Sequence, residues 1–303
     1  MVTYNTNTLV ESIMRTSHVP QGNNTFDFDG FLALADTEMR TRIAPKISSC
    51  RENYWLTRVQ YEPTEDNAYP IPSKALGNSF VDVKILVGNN LIPLSRVEIS
   101  ELYSLQFATR PAYCYYLEDN LIKSLSVVNL GPFLVWYYRI PSQLVPVSSC
   151  GQITDVTGNA VTVDAVPSTF VDQELDVVSQ QPGFNVLIKD NEPVSIVGNV
   201  ITFDEVPDSV QVGDYVCLSG QSCVVQCPLE WIEVLVQAVT VRIYQIQGYL
   251  AKHKTANEDL NEMIKNAMGL VSPRSIENPK IISGGGSLIF PQVLGWKMPV
   301  RGS

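Results

Sequence analysis

The chain has 303 residues, 45% of them hydrophobic, and a formal net charge of −10 at neutral pH. That is enough apolar material for a substantial core spread over more than one folding unit. The acidic balance and the lack of any Lys/Arg run exclude ordinary nucleic-acid binding, which needs a positive surface to exchange for counterions.

The opening MVTYNTNTLVESIMRTSH holds no continuous apolar stretch, so no signal peptide is expected. Asn7 to Ser17 reads as a short helix with Leu9, Ile13 and Met14 on one side, broken by Pro20 and Gly22. A longer helix starts at Asp27, an N-cap type of residue. Phe28, Phe31, Leu32, Ala35, Met39, Ile43 and Ile47 then recur at three- and four-residue steps. Pro45 interrupts that stripe and predicts a kink or break.

From Tyr54 the runs YWLTRVQYEP, SFVDVKILV, LIPLSRVEI, AYCYYLEDNLIKSLSVV and PFLVWYYRIP are β-rich and punctuated by Asn, Pro and Gly. LEDN, between apolar flanks in Tyr113–Ile122, predicts a hairpin turn. For the aromatics Tyr113, Tyr115, Tyr116, Trp136, Tyr137 and Tyr138, strand alternation puts half of them in a core, which favours a core or a subunit interface over a sugar platform.

Next the chain repeats itself. VTGNAVTVDAVP (Val156–Pro167) returns forty residues later as IVGNVITFDEVP (Ile196–Pro207), with Gly158/Gly198, Asn159/Asn199, Thr162/Thr202, Asp164/Asp204, Val166/Val206 and Pro167/Pro207 identical. Self-similarity at a fixed offset marks a duplicated supersecondary unit. Gly-Asn is a hairpin signal, the alternation after it is that of a half-buried strand, and Val-Pro stops the pairing. Two superimposable β segments of one small barrel or sandwich are expected, with Val161 and Ile201 inside.

At Pro228 helix resumes. Ile232, Leu235, Val236, Val239, Ile243, Ile246 and Leu250 form one stripe, while Glu233, Gln237, Arg242, Gln245 and Gln247 make the segment too polar for a membrane span. Thr255 to Glu258 (TANE) fits a capping box for a second helix lined by Leu260, Met263, Ile264, Ala267 and Val271. The remainder has three glycines, Gly284 to Gly286, followed by an apolar tail. Leu288, Ile289, Phe290, Val293, Leu294 and Trp296 in that tail are the candidate partner-docking residues.

The predicted fold class is therefore α+β. A helical segment (1–56), a β domain (57–149), a duplicated β insert (150–227) and a C-terminal helix pair (228–274) precede an extended docking arm (275–303). The helices from the two ends are expected to pack together as one body.

Chemistry is sparse. The two histidines, His18 and His253, stand in polar or turn-like contexts, with His253 read as a helix-end residue facing C-terminal carbonyls. No nucleophile elbow, His-Glu-x-x-His pair or P-loop occurs, and GGGS is followed by LIFP rather than by a helix. Six scattered cysteines predict reduced thiols rather than a disulfide framework. Cys217, Cys223 and Cys227 cluster in sequence but lack a Cys-x-x-Cys knuckle, so buried strand thiols are expected and no metal. The pairs Asp164/Asp204 and Glu174/Asp214 lack calcium-loop spacing and read as turn-capping carboxylates. No catalytic residue and no cofactor are expected.

Taken in order, several stretches resemble the head-to-tail adaptor (connector) proteins of tailed bacteriophages. FDFDGFLALADTEMRTRIAPKISSCRENYWLT resembles the N-terminal helical segment of that family, and YPIPSKALGNSFVDVKIL its following Pro-rich turn and strand. YYLEDNLIKSL and VWYYRIPSQLV look like the paired strands before the insert. SCGQITDV, NAVTVDAVPSTF and VGDYVCLSG look like the insert, and PLEWIEVLVQAVTVRIYQIQG with EDLNEMIKNAMGLVSPR like the closing helix pair. The likeness runs from Asn7 to Arg274; the arm departs from it.

The resemblance implies a non-enzymatic virion protein of the neck, assembled in the bacterial cytoplasm. It would form a homo-oligomeric ring of about twelve copies, below the portal protein and above the tail or further neck proteins. Such a ring would line the channel for DNA without binding its sequence, and would not meet a membrane. A charge on the order of −100 around the ring would keep DNA off the wall. The competing expectation is a virion-associated carbohydrate- or receptor-binding β protein, which would need exposed aromatics on the repeat. The repeat has Val and Ile there instead.

Overall fold

Two side-chain caps start the helical part. The Asn5 side chain accepts the Thr8 amide at 3.1 Å and opens α1 (Thr6–Ser17), and Asp27 accepts the Gly30 amide at 2.7 Å and opens α2 (Phe28–Glu38). The structure, a computed structural model, describes residues 4–19, 26–102, 113–125 and 131–271.

At Pro45 the helix is irregular rather than broken. Met39–Ile43 widen into one π turn, and Ala44 donates to the Met39 carbonyl before the chain continues as α3 (Ala44–Cys50). Pro45 thereby falls in the first turn of a new segment, where its missing N–H leaves no bond unmade.

After a 3₁₀ turn at Glu52–Trp55 come β1 (Leu56–Tyr61), β2 (Ala68–Pro70), β3 (Asp82–Val87), β4 (Asn90–Pro93) and β5 (Ser95–Arg96). A short α4 (Ile99–Leu102) precedes β6 (Cys114–Glu118), β7 (Leu121–Ser124), β8 (Phe133–Tyr138) and β9 (Gln143–Leu144). The first eight form two four-stranded sheets, β1-β8-β3-β4 and β2-β7-β6-β5. Asp119 and Asn120, at φ 51° and 64°, make the predicted hairpin between β6 and β7. The sheets share a core in which Tyr69 stacks on Phe133 at 4.2 Å. Tyr115 and Tyr137 are buried there; Tyr113, Tyr116, Trp136 and Tyr138 are half-buried.

The duplicated region holds β10 (Gly151–Thr157), β11 (Ala160–Val163), β12 (Leu175–Val178), β13 (Val186–Asn191), β14 (Ser195–Val197), β15 (Val200–Thr202), β16 (Tyr215–Leu218) and β17 (Gln221–Ser222). Seven strands form one sheet in the order β13-β12-β16-β10-β11-β15-β14, and β17 pairs with β9. Gly158 and Gly198 hold nearly the same left-handed φ, 58° and 59°, at the two repeated turns.

The repeats pair with each other through a local two-fold relation. Val161 sits opposite Ile201, its own mate, while Ala160 faces Thr202 and Thr162 faces Val200. On the other strands Leu175 faces Leu218 and Val178 faces Tyr215, the same exchange at the forty-residue offset. Asn159 donates to the Asp204 carbonyl at 2.6 Å and Asn199 to the Asp164 carbonyl at 3.0 Å. Val161 and Ile201 are both fully buried.

The barrel does not close. The two edge strands, β13 and β14, are joined by residues 192–194, which span at most about 14 Å. The sheet therefore curls its edges toward each other, but no ladder joins them.

The chain ends its described part in α5 (Leu229–Ile246) and α6 (Leu250–Val271). The second helix begins earlier than the capping box predicts. Gly248, at φ 74°, ends α5 and turns the chain at once, so Thr255 lies inside α6 and bonds back to the Ala251 carbonyl. His253 is likewise interior, its amide bonded to the Tyr249 carbonyl, and does not face free C-terminal carbonyls.

α5 packs on α1 and α2, and α6 on α5 and α3, around one core that includes Leu9, Ile13, Phe31, Met39, Trp231 and Leu260. Burial on this scale, at about 1.5–3 kcal/mol per large apolar side chain, is what holds chain ends so distant in sequence together. No helix among the described residues is long and apolar enough to cross a membrane.

Candidate functional site

Where the β strands after residue 56 meet the duplicated sheet, a charged side chain is completely buried. Arg139 follows β8, and its backbone is held by Trp55 and paired with Ala75. Its guanidinium is 0% exposed. One Nη donates to Asp176 at 2.6 Å and to Asp190 at 3.1 Å, and the other to Asp190 at 2.9 Å.

Asp176 lies in the middle of β12 and is also 0% exposed. Its oxygens accept the Asp190 amide at 2.8 Å and the Gly220 amide at 2.9 Å. Lys74 reaches Asp190 and Ser219, and Ser219 also contacts Asp190. Two cations and two carboxylates leave the cluster formally neutral, the condition under which buried charges are tolerated.

The electrostatics follow from this geometry. Burial pushes the Asp176 carboxyl upward, against the pull of Arg139 and of the two backbone amides. For Asp190 burial acts the same way, but Arg139, Lys74 and Ser219 outweigh it and hold the group below the usual carboxylate range. Burial and the nearby Arg139 charge lower Lys189, whose Nζ donates to the Thr57 hydroxyl at 2.6 Å. Beside this, Phe184 packs edge-on against Trp55 at 5.1 Å, and its amide donates to the Tyr54 hydroxyl at 3.0 Å. The arrangement is a clamp between the duplicated sheet and the rest of the chain.

A second cluster was only half legible. Cys217 and Cys223 do meet, but their third member is Cys150 and not Cys227. Gly151 pairs with Val216 across β10 and β16, so Cys150 and Cys217 flank that pair on facing strands. Their sulfurs are 2.8 Å apart, with Cys217 donating. Cys227 instead joins the helical core. Hydrogen bonds from Cys217 and Cys223 draw Cys150 down to about 5, while burial pushes the other two thiols up.

The remaining sequence candidates separate. His18 caps α1 in the left-handed conformation and lines a surface cleft with Gln237, Tyr244, Lys252 and Asp259. The Lys252 Nζ there lies over the Tyr244 and Tyr249 rings at 5.7 and 5.3 Å. Asp164 accepts the Gln152 and Ala165 amides, and Asp214 those of Gln180 and Gln211, as turn caps do. The proposed docking residues Leu288, Ile289, Phe290, Val293, Leu294 and Trp296 lie outside the described residues.

The buried clamp had one sequence signal. Asp176 stands in LDVV where the second repeat has Val216, so a carboxylate replaces an apolar residue at a position that the pattern makes internal. A scan against protein-family models matches nothing, and a search of curated proteins finds no match either.

Proposed function

We propose that this chain is a structural subunit of a virion neck: a head-to-tail adaptor that assembles as a ring below the portal, joins capsid to tail and lines the DNA channel. In this reading the helices from both chain ends form the body, the curled duplicated sheet is a barrel-like insert, and residues 275–303 are an arm that docks on a neighbouring virion protein. The sequence resemblance and the acidic charge support it.

The observation that carries the reading is a pair of different exposed apolar surfaces. One is the turn between α5 and α6, where Ile246, Tyr249 and Leu250 (81% exposed) follow one another. The other is the outer edge of strand β14, which pairs with β15 on its inner side only, with Val194, Val197 (72% exposed) and Val200 around it. An open sheet edge with apolar side chains is a template for another chain. A closed heterologous ring needs two unlike faces on each subunit, and these belong to elements with separate cores.

The test is to purify the full chain alone and with a portal ring, and to measure mass and image the particles. Rings, alone or on the portal, support the proposal; a chain that stays monomeric under both conditions overturns it. Val197→Lys and Leu250→Glu refine the test. Each alone should stop ring growth, while an equimolar mixture should stop at dimers through the one intact interface.

A further inference from the structure

We infer that Cys150, Cys217 and Cys223 form a three-cysteine binding site for a single soft, closed-shell metal cation, with cuprous ion as the species that fits. The three sulfurs lie within 4.8 Å of one another. They come from β10's leading edge, from β16 and from the turn after β17, so three separate segments aim thiols at one point.

The surroundings are dry and apolar. Val145, Val178, Tyr215 and Val224 wall the site, Cys217 and Cys223 are fully buried, and Cys150 is nearly so. Three ligand sulfurs at about 2.3 Å from a common ion stand about 4 Å apart. The Cys150–Cys217 pair, at 2.8 Å, has to open by about 1 Å to reach that spacing, and the third sulfur lies within 4.8 Å of both. Among the described residues no fourth Cys, His, Asp or Glu joins the group. Structural zinc takes four ligands, whereas soft thiolates select cuprous ion, which accepts three.

Binding would displace thiol protons and replace the sulfur–sulfur hydrogen bonds with metal–sulfur bonds. It would also tie down more than the sheet. The Cys223 carbonyl accepts the Thr6 amide at 2.8 Å at the start of α1, so the ion would hold the root of the duplicated sheet to the first helix.

The test uses the reduced full chain, anaerobically, titrated with cuprous ion against a chelator of known affinity, with a parallel zinc titration. One copper retained per chain and a higher unfolding temperature are expected. Cys150→Ser and Cys223→Ala should each lose the ion, while Cys227→Ala, buried in the helical core, should keep it. Complete loss of copper to the chelator, equal retention by the cluster variants, or retention of zinc in preference to copper overturns the inference. If the cluster variants do not fold, X-ray absorption on the copper-loaded native chain decides. A shell of three sulfurs supports the site, and a shell containing nitrogen or oxygen overturns it.

Discussion

Arg139 and Asp176 meet at 2.6 Å with both side chains shut off from solvent, and this contact links the duplicated sheet to the strands that precede it. Neither group can turn to water, and Arg139 is the cation that compensates the Asp176 charge. Removing Arg139 leaves a buried carboxylate uncompensated. Arg139→Leu is expected to destabilise the chain by about 3–5 kcal/mol in urea unfolding, and Arg139→Leu with Asp176→Leu to recover most of that. A loss under about 1 kcal/mol for the single variant would show that the cluster is not a clamp.

The same cluster predicts a pH response. Asp190 is held below its ordinary value near 4, so its ionised form favours the folded state. That contribution is complete above the ordinary value and fades as pH falls through the lower folded value. Asp176 is shifted upward and works in the opposite sense, weakening the fold as it ionises. Comparing the native chain with Asp190→Asn isolates the first effect. The stability difference should be largest at neutral pH and shrink below about pH 4; a difference that grows on acidification contradicts the assignment.

Asn159 and Asn199 make reciprocal bonds across the repeat, each to a carbonyl in the other unit. Because the local two-fold relation makes their surroundings alike, Asn159→Ala and Asn199→Ala should destabilise by similar amounts, about 1 kcal/mol each. Urea unfolding of the two single variants measures this. Losses that differ by more than twofold would mean that the two-fold relation does not extend to the energetics.

On the proposed adaptor reading, residues 275–303 give a prediction about assembly rather than stability. A chain cut after Arg274 is expected to unfold at the same temperature as the full chain and to fail to enter virions. Thermal unfolding and incorporation into particles are read side by side. A truncated chain that aggregates as a monomer places Leu288, Phe290 and Trp296 in its own core instead.

Several elements were legible because their signals are local. Asp27 caps the amide three residues ahead, Asp119 and Asn120 tolerate the left-handed turn, and Gly158 and Gly198 do so twice. Thr255 misled for the converse reason. A capping box needs an extended residue at its head, but Gly248 had already turned the chain and α6 was under way. Pro45 marked a real irregularity but not a break: a π turn just ahead of it shifts the hydrogen-bond ladder by one residue.

The sequence by itself determined the α+β class, the helical stripes and the repeated hairpin, because each rests on periodicity and turn chemistry within about a dozen neighbouring residues. Only the tertiary structure decided that the repeats pair with each other as exchanged mates and that their sheet stays open. It alone chose Cys150 over Cys227 as the third thiol, from 67 residues before Cys217, and brought Arg139 to carboxylates 37 and 51 residues further on. Contacts across such separations carry no local pattern: they form where burying apolar faces brings the segments together and a buried charge then requires its opposite.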